Sequence, residues 1–573
     1  MSHHDWRPLR LWSPARFRQP GPFDGVALVV VALVVVVLFL DEPHVLPRTS
    51  ATLDLAPVML PLYAAYSGLR MLAAYVLSLG FALSAGYWAS ASPRGRRLIL
   101  PALDVLQAVP ILGFFPAAVF FFIRLAHGRA IGVEAAAVFL IFTSQAWNLA
   151  FSAYESLTTI PEDLRTAVRL SGADGSVLWR RLLLPACVPR MVYNSMLSWA
   201  GGWYFLIASE IIAIGQGTWI LPGLGSYIGQ AIARGRAPLA VAGLAMLVAV
   251  IVSMHLFVWS PLEAWAGRFR YETSGAGEAA VPLVRVLAGK APWVRRALAA
   301  TGQAAASGLG MALVAVAHAL SGQWMRVVGW LAAAGAASVL VYGAVAIVEV
   351  LLRPLPPEAL TIPTALGFSF LRLLAAYAIS LAWTVPLAAW VSRSARRVEL
   401  VMPPVQVLAS IPATAFFPLL VAGVLRFGLD LNVSAILLVL TGMQWYLLFN
   451  LVAAAQGLPE DLRELARMTE ARGLVYLRRF FLPAALPSLI TGSITAWGGG
   501  WNALVLAESV TADGRTWSVD GIGTLLDEAT YVRGDLQMIV LVIVAMVGAV
   551  LLLNRAVWRP LYGRASVRYR LDG

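Results

Sequence analysis

The sequence predicts an all-α integral membrane protein made of two tandem six-helix halves. Three observations carry that expectation: apolar runs long enough to cross a bilayer, arginine clusters that alternate between those runs, and a second half that restates the first. Of the 573 residues, 60% are hydrophobic and 13% charged, which is outside the range of soluble domains. A helix needs roughly 20 apolar residues to cross a hydrocarbon core of about 30 Å.

In chain order, residues 1–22 are polar and basic (Arg7, Arg10, Arg16, Arg18) and lead into an apolar run over 23–40 with no small-residue cleavage site after it. This reads as a retained first span with its N-terminus inside, rather than a signal peptide. Further spans are expected near 60–89, 98–123, 133–154, 192–214 and 237–259, completing a first repeat over 1–262 with its core at 60–259. A linker over 263–326 follows, with Arg268, Arg270, Arg285, Lys290, Arg295, Arg296 and Arg326. The second repeat, 327–573 with its core at 366–559, gives spans near 328–352, 366–390, 400–424, 433–455, 489–510 and 538–557. The total is twelve transmembrane helices. An apolar piece at 304–320 is expected to lie along the surface, because a crossing there would place the two repeated loops on opposite sides.

Charge supports this topology. Arg94, Arg96 and Arg97, then Arg180 and Arg181, the linker, Arg393, Arg396 and Arg397, Arg478 and Arg479, and the basic tail from Arg555 all fall on the same predicted face. Lys and Arg collect on cytoplasmic loops, so both termini and the linker are placed in the cytoplasm. The net charge of +13 therefore reports topology, and nucleic acid is not an expected partner. The single cysteine, Cys187, excludes an intrachain disulfide and a Cys-rich metal site, and the six histidines form no HExxH pair. No metal is expected.

The repeat is most explicit in one inner loop. Pro-Glu-Asp-Leu-Arg at 161–165 returns at 459–463, a double arginine at 180–181 returns at 478–479, and Leu-Pro-Ala at 184–186 returns at 482–484, all 298 residues apart. The same offset holds for Trp199 and Trp497, Trp203 and Trp501, Glu210 and Glu508, and Gly223 and Gly521. Earlier in each half the offset is 302, as in Leu-Arg-Met-Leu-Ala-Ala-Tyr at 69–75 against Leu-Arg-Leu-Leu-Ala-Ala-Tyr at 371–377. The change falls between Pro116 and Pro161, most simply in the outer loop at 124–129.

Each loop copy opens with a proline followed by acidic residues, a composition suited to a helix start. Roughly thirty residues at identical spacing is far longer than a connection requires, so the loop reads as a docking surface. It resembles the signature of bacterial ABC importer permeases: Glu-Ala-Ala, three residues, Gly, nine residues, Ile, one residue, Leu-Pro. Counting back from Leu184-Pro185 places Leu182 at the Ile position, Gly172 at Gly, and Thr166, Ala167 and Val168 at Glu-Ala-Ala. From Leu482-Pro483, Phe480 stands for Ile, Glu470 for Gly, and Glu464, Leu465 and Ala466 for Glu-Ala-Ala. The first copy lacks the glutamate and the second the glycine, while the spacing is kept in both.

The chain looks most like the duplicated, fused type I permeases of the nitrate/sulfonate/taurine branch, which are associated with anion uptake. The resemblance implies a coupling helix in each half that sits in a separate ATPase subunit. In the first half this would use Asp163, Leu164, Arg165, Thr166, Ala167, Val168, Gly172 and Ala173; in the second, Asp461, Leu462, Arg463, Glu464, Leu465, Ala466, Glu470 and Ala471. It further implies two ATPase subunits, an extracytoplasmic solute-binding protein, and residence in the bacterial inner membrane. ATP would be bound by the partner, and no cofactor by this chain: the only Gly-Lys, Gly289-Lys290, is followed by Ala291 and makes no phosphate-cradling loop.

Candidate pathway residues come from the residues themselves. Gly201 and Gly202, and Gly498, Gly499 and Gly500, lie well inside their spans, bracketed by Trp199, Trp203, Trp497 and Trp501, with Tyr204 and Asn502 adjacent. Glycines there permit close helix approach or an irregular backbone facing a cavity. Glu210 and Glu508 follow, where a carboxylate is costly unless paired or wet. Arg70 and Arg372 fall at a similar depth, so each glutamate is expected to be neutralised by one of these arginines, in its own half or across. Arginine would be the better contact for an anion. Pro110, Pro116, Pro412 and Pro418 are expected to bend the third span of each half.

The sequence thus points to an ATP-driven importer permease for a small anion (nitrate, a sulfonate, taurine or a bicarbonate-like ion), working by alternating access and doing no covalent chemistry of its own. Fused permeases for ferric iron or a thiamine-like compound have a similar appearance. An ATP-independent secondary carrier would need coupling acids in several spans and no docking helix. A membrane enzyme would need a convergent His, Cys or Asp constellation, which the sequence does not present.

Overall fold

The computed structural model describes residues 53–269 and 354–565, apart from 109–110, 112–118, 120–121, 123–125, 127–129, 172–174, 215–216, 457–463, 466–467, 470–472, 513–514, 534, 559 and 562–563. The expected spans at 23–40 and 328–352, the piece at 304–320 and the linker beyond Phe269 lie outside the described residues.

The first half begins with α1 (Leu60–Ala91), which has Pro61 in its opening turn, where no N–H partner is needed. It ends at Ser92, extended as a residue before proline must be, and the Ser92 hydroxyl accepts the Gly95 N–H at 2.8 Å to start α2 (Pro93–Ala108). Then come α3 (Ala130–Thr158), the short inner helix α4 (Glu162–Leu170), α5 (Leu184–Glu210), an outer hairpin of β1 (Ile211–Ile214) and β2 (Gly217–Ile220), α6 (Leu224–Ala233) and α7 (Ala237–Met254).

The second half repeats the order with α8 (Ile362–Val391), α9 (Ala395–Ser410), α10 (Ala413–Arg426), α11 (Leu431–Gln456), α12 (Leu482–Ala507), β3 (Ser509–Ala512), β4 (Arg515–Ser518), α13 (Ile522–Asp527) and α14 (Leu536–Leu553).

Three differences from the sequence reading have physical causes. The described residues are helical almost throughout but not wholly α: each fifth span gives way to an antiparallel two-stranded hairpin, with Ile211 opposite Ile220 and Ser509 opposite Ser518. The expected ends at 214 and 510 ran strand residues into the helix, because a short apolar run has no periodicity to tell the two apart. The third span of the second half is two helices: Pro412 supplies no N–H and holds Ile411 extended (φ −76°, ψ 118°) between α9 and α10. Finally, the helix of the sixth span continues to Phe269, into the segment assigned to the linker.

Among the described residues, seven helical stretches are long and apolar enough to cross a membrane: Pro57–Ala91, Ile131–Thr158, Ala237–Phe269, Pro357–Val391, Leu431–Ala455, Gly473–Ala507 and Gln537–Trp558. The helix α5 matches α12 in length, yet it carries Arg190, Asn194 and Glu210 and is less apolar.

Proline also explains an irregularity. Four of the five π-helical turns among the described residues, Trp179–Leu183, His255–Trp259, Leu477–Phe481 and Asn554–Trp558, end two residues before a proline: Pro185, Pro261, Pro483 and Pro560. A proline ring presses on the carbonyl four residues back and cannot bond to it. Widening the turn moves that carbonyl aside, and the residue just before the proline closes the wider ring, as Leu184 N–H does on the Trp179 carbonyl.

Within each half α3 packs against α1 and α5, and α11 against α8 and α12. The halves also interlock: α5 touches α9 and α10, Ala415 is buried in the core of the first half, and Ile111 and Val119 are buried in that of the second. Each third span thus belongs partly to the opposite half.

Candidate functional site

Among the described residues, two buried arginine–carboxylate clamps and one cavity stand out in the interior. In the first clamp, Arg70 on α1 donates from Nη1 to Glu210 Oε1 at 2.9 Å and to the Pro222 carbonyl at 2.9 Å. Its Nε and Nη2 meet Glu134 of α3 at 2.6 and 2.7 Å in a bidentate pair. Glu210 is fully buried and also accepts from Ser67 Oγ at 2.5 Å and Gly225 N–H at 2.6 Å. The last of these comes from the first turn of α6, whose free N–H groups favour a carboxylate.

The second clamp is built the same way. Arg372 Nη1 donates to Glu508 Oε1 at 2.6 Å, Nη2 to the Asp520 carbonyl at 2.7 Å and Nε to Asn432 Oδ1 at 2.7 Å. Glu508, also fully buried, accepts from Ser369 Oγ at 2.5 Å and Gly523 N–H at 2.7 Å. Each pair forms within its own half. A β-carbon at Gly223 or Gly521 would overlap the adjoining carboxylate, so these positions admit only glycine without displacement.

Sequence reasoning reached the arginine–glutamate pairs but missed Ser67, Ser369, Glu134 and Asn432. The repeat held the signal: Ser67 and Ser369 stand at the 302 offset of the arginines, and Glu134 and Asn432 at the 298 offset of the glutamates.

Between the halves lies a cavity of about 700 Å³. Of the candidate pathway residues, Gly201, Trp497, Gly499, Trp501 and Asn502 border it. Trp199, Gly202, Trp203, Gly500, Arg70, Glu210, Arg372 and Glu508 do not. Trp199 packs among Tyr75, Trp203 and Trp259, with ring centroids 5.7 to 6.3 Å apart. Gly202 gives room to Met71 and Gln145, and Gly500 to Leu373 and Met443. Two hydrogen bonds tie the halves beside the cavity: Ile111 N–H to Asn502 Oδ1 at 2.6 Å, and Thr414 Oγ1 to the Tyr204 carbonyl at 3.2 Å. Tyr204 and Asn502 are 298 residues apart, so the same position of each fifth span receives the third span of the other half.

The inner loop of the first half is helical as its acidic start requires, with Glu162 and Asp163 in the first turn of α4. Asp163, Thr166 and Ala167 are exposed, while Leu164 and Val168 rest on the core beneath. Arg165 reaches the Leu157 carbonyl and stands 4.0 Å from Glu162. In the second half Glu464 and Leu465 are helical and exposed. Gly172, Ala173, Asp461, Leu462, Arg463, Ala466, Glu470 and Ala471 lie outside the described residues.

The model of one family, binding-protein-dependent transport system inner membrane component, matches this chain twice, over residues 78–260 and 380–557. The chain belongs to that family. This permease is a duplicated ABC permease of the nitrate/sulfonate branch, a transport component of the inner membrane. It is 31% identical over 133 residues to a nitrate import permease protein of Synechococcus elongatus, covering 23% of this chain and 44% of that one. It is 30% identical over 152 residues to a nitrate import permease protein of Leptolyngbya laminosa, covering 26% and 50%. A protein of Escherichia coli named as an aliphatic sulfonates transport permease is 27% identical over 168 residues, covering 29% and 60%. The chain spans about half the length of the curated relatives it matches.

Proposed function

We propose that this permease is the membrane-spanning part of an ATP-driven importer that moves a small anion inward by alternating access. The reading includes twelve spans, repeats over 1–262 and 327–573, a cytoplasmic linker over 263–326 and cytoplasmic termini. Two ATPase subunits would dock on the inner loops, one over Asp163, Thr166 and Ala167 and one around Glu464 and Leu465. A solute-binding protein would deliver the anion outside. The ATPase subunits carry the nucleotide.

The observation that supports this best is the double match to a binding-protein-dependent transport component, with both inner loops inside the matched residues and 298 residues apart. Interlocked halves suit a rocking motion. The Ile111–Asn502 and Thr414–Tyr204 bonds hold the halves together beside the cavity in this state, and separation of the halves there breaks both.

Copurification tests the docking. With Ala167→Pro and Leu465→Pro in one chain, the ATPase is expected to be lost from the purified assembly; full retention would overturn the assignment. Thermal shifts of the cognate solute-binding protein with nitrate, sulfonates, bicarbonate and ferric iron test the anion. A response confined to ferric iron would replace the anion reading.

A further inference from the structure

The faces of α3 and α5 that border the cavity do not end with it. Asn148 on α3, and Leu197 and Gly201 on α5, lie in its wall. Seven residues make nearly two helical turns and return a side chain to within about 20° of the same face. Counted seven residues toward the inner loop, Asn148 leads to Glu155, Leu197 to Arg190 and Gly201 to Asn194. All three are polar, and they join across the seam between the two helices. Asn148 Nδ2 donates to Ser198 Oγ at 3.1 Å and to the Asn194 carbonyl at 3.2 Å. Asn194 Nδ2 donates to Ser152 Oγ at 3.2 Å, and one turn further Arg190 Nη1 meets Glu155 Oε2 at 3.2 Å. This ladder is open rather than sealed. The Arg190 and Glu155 side chains are 42% and 59% exposed, Asn148 is exposed and Asn194 half-buried. Neither asparagine's amide oxygen accepts a hydrogen bond from another described residue. The second half lacks the ladder: at the 298 offset Glu155, Arg190 and Asn194 become Ala453, Ser488 and Gly492.

We propose that the seam between α3 and α5 is a water-filled lane from the cavity to the inner surface, with the Arg190–Glu155 pair at its mouth, and that solute leaves along the first half. The proposal rests on the transport reading above and adds where the inner exit runs. A ladder that served only to hold two helices together would close its groups on one another. Here two amide oxygens and both charged ends stay open, and facing hydrocarbon they would be costly. Water is the partner that satisfies them. Because the amides are neutral and the charges paired, the lane carries no net charge, so it passes a hydrated solute without trapping it. The matching face of the second half is lined by small residues, which leaves the polar wall of the exit to the first half alone.

Cys187 is the single cysteine of the chain and is buried, so Cys187→Ser gives a thiol-free background in which one added cysteine reports on water. The test places Asn194→Cys, Asn148→Cys or Leu77→Cys in that background, with the full-length permease in inside-out membrane vesicles. Leu77, 56% exposed on α1 and away from the cavity, is the lipid-facing control. The probes are the anionic sulfonatoethyl and the cationic trimethylammonioethyl methanethiosulfonates. Asn194→Cys and Asn148→Cys are each expected to react at least about tenfold faster than Leu77→Cys, because a thiol in water ionises and one in lipid does not. Adding Arg190→Gln leaves Glu155 unpaired and is expected to shift the rate ratio at Asn194→Cys toward the cationic probe by about threefold or more. Should Asn194→Cys fail to fold, Asn148→Cys with Arg190→Gln carries the same comparison. Reaction no faster than at Leu77→Cys, faster reaction in right-side-out vesicles, or an unchanged ratio would each overturn the proposal. Copurification of the ATPase from the same membranes separates the two ideas. Slow reaction with the ATPase retained removes only the lane, and fast reaction without the ATPase removes only the transport reading.

Discussion

The two clamps differ at one position. Arg70 is held by Glu134 and Glu210, whereas Arg372 is held by Asn432 and Glu508; the serine hydroxyl, the glycine N–H and the backbone carbonyl of each clamp have their counterparts in the other. The first clamp therefore has two carboxylates for one guanidinium and the second has one. What both halves keep is the buried glutamate, joined to an arginine, a serine and the first turn of the following helix. Duplication preserved the part that must be neutral as a unit and let the partly exposed third partner change. Glu134 is 15% exposed at its side chain, enough for water to share its charge.

The largest expected effect comes from removing the guanidinium. Breaking a buried ion pair leaves an uncompensated charge and costs on the order of 3–5 kcal/mol. Arg70→Ala should be the more damaging change because it strands two carboxylates, and Arg372→Ala the lesser, as read by thermal unfolding of the purified protein in nanodiscs. Equal losses would mean that Glu134 already carries its own solvation. Next come Gly223→Ala and Gly521→Ala, which press a methyl group onto a carboxylate fixed by several hydrogen bonds. Each should cost about 1–3 kcal/mol, equally in the two halves because the glycine side of both clamps is the same. A smaller effect is expected from exchanging the third partner. Glu134→Asn should cost about 1 kcal/mol through a lost charge-assisted bond, and Asn432→Glu should cost less than half of that. A large penalty for Asn432→Glu would show that the halves have diverged beyond this one side chain.

Much of this was legible in the sequence. Position within the repeat and the expense of an acid in a span sufficed to expect Glu210 and Glu508 each to meet one of Arg70 and Arg372, but not that each pair forms within its own half. Glu134 escaped notice because a lone acid near the start of a span reads as an interface residue until the arginine across from it is known. The hairpins escaped for another reason: Ile211, Ile212 and Ile214 continue the apolar character of the helix before them, and hydropathy carries no sign of where a helix stops. The tryptophans mark a firmer limit. Trp203 and Trp501 occupy the same place in the repeat, yet only Trp501 borders the cavity. Which side of a helix faces the cavity depends on how the halves lean together, and no local pattern encodes that.

The π-helical turns ahead of Pro185 and Pro483 give this last point a geometric form. Each such turn amounts to one extra residue in a helix that advances about 1.5 Å and rotates about 100° per residue. The inner loops lie on one side of that insertion and the stretch from Trp199 to Glu210, with its copy, on the other. The wider turn absorbs the extra residue, so the two ends of the fifth span keep nearly the phase of an unbroken helix. Taking one residue out of 179–183 would close the wide turn to α geometry and leave the two ends in nearly the same angular relation, so the extra residue is carried by the turn alone.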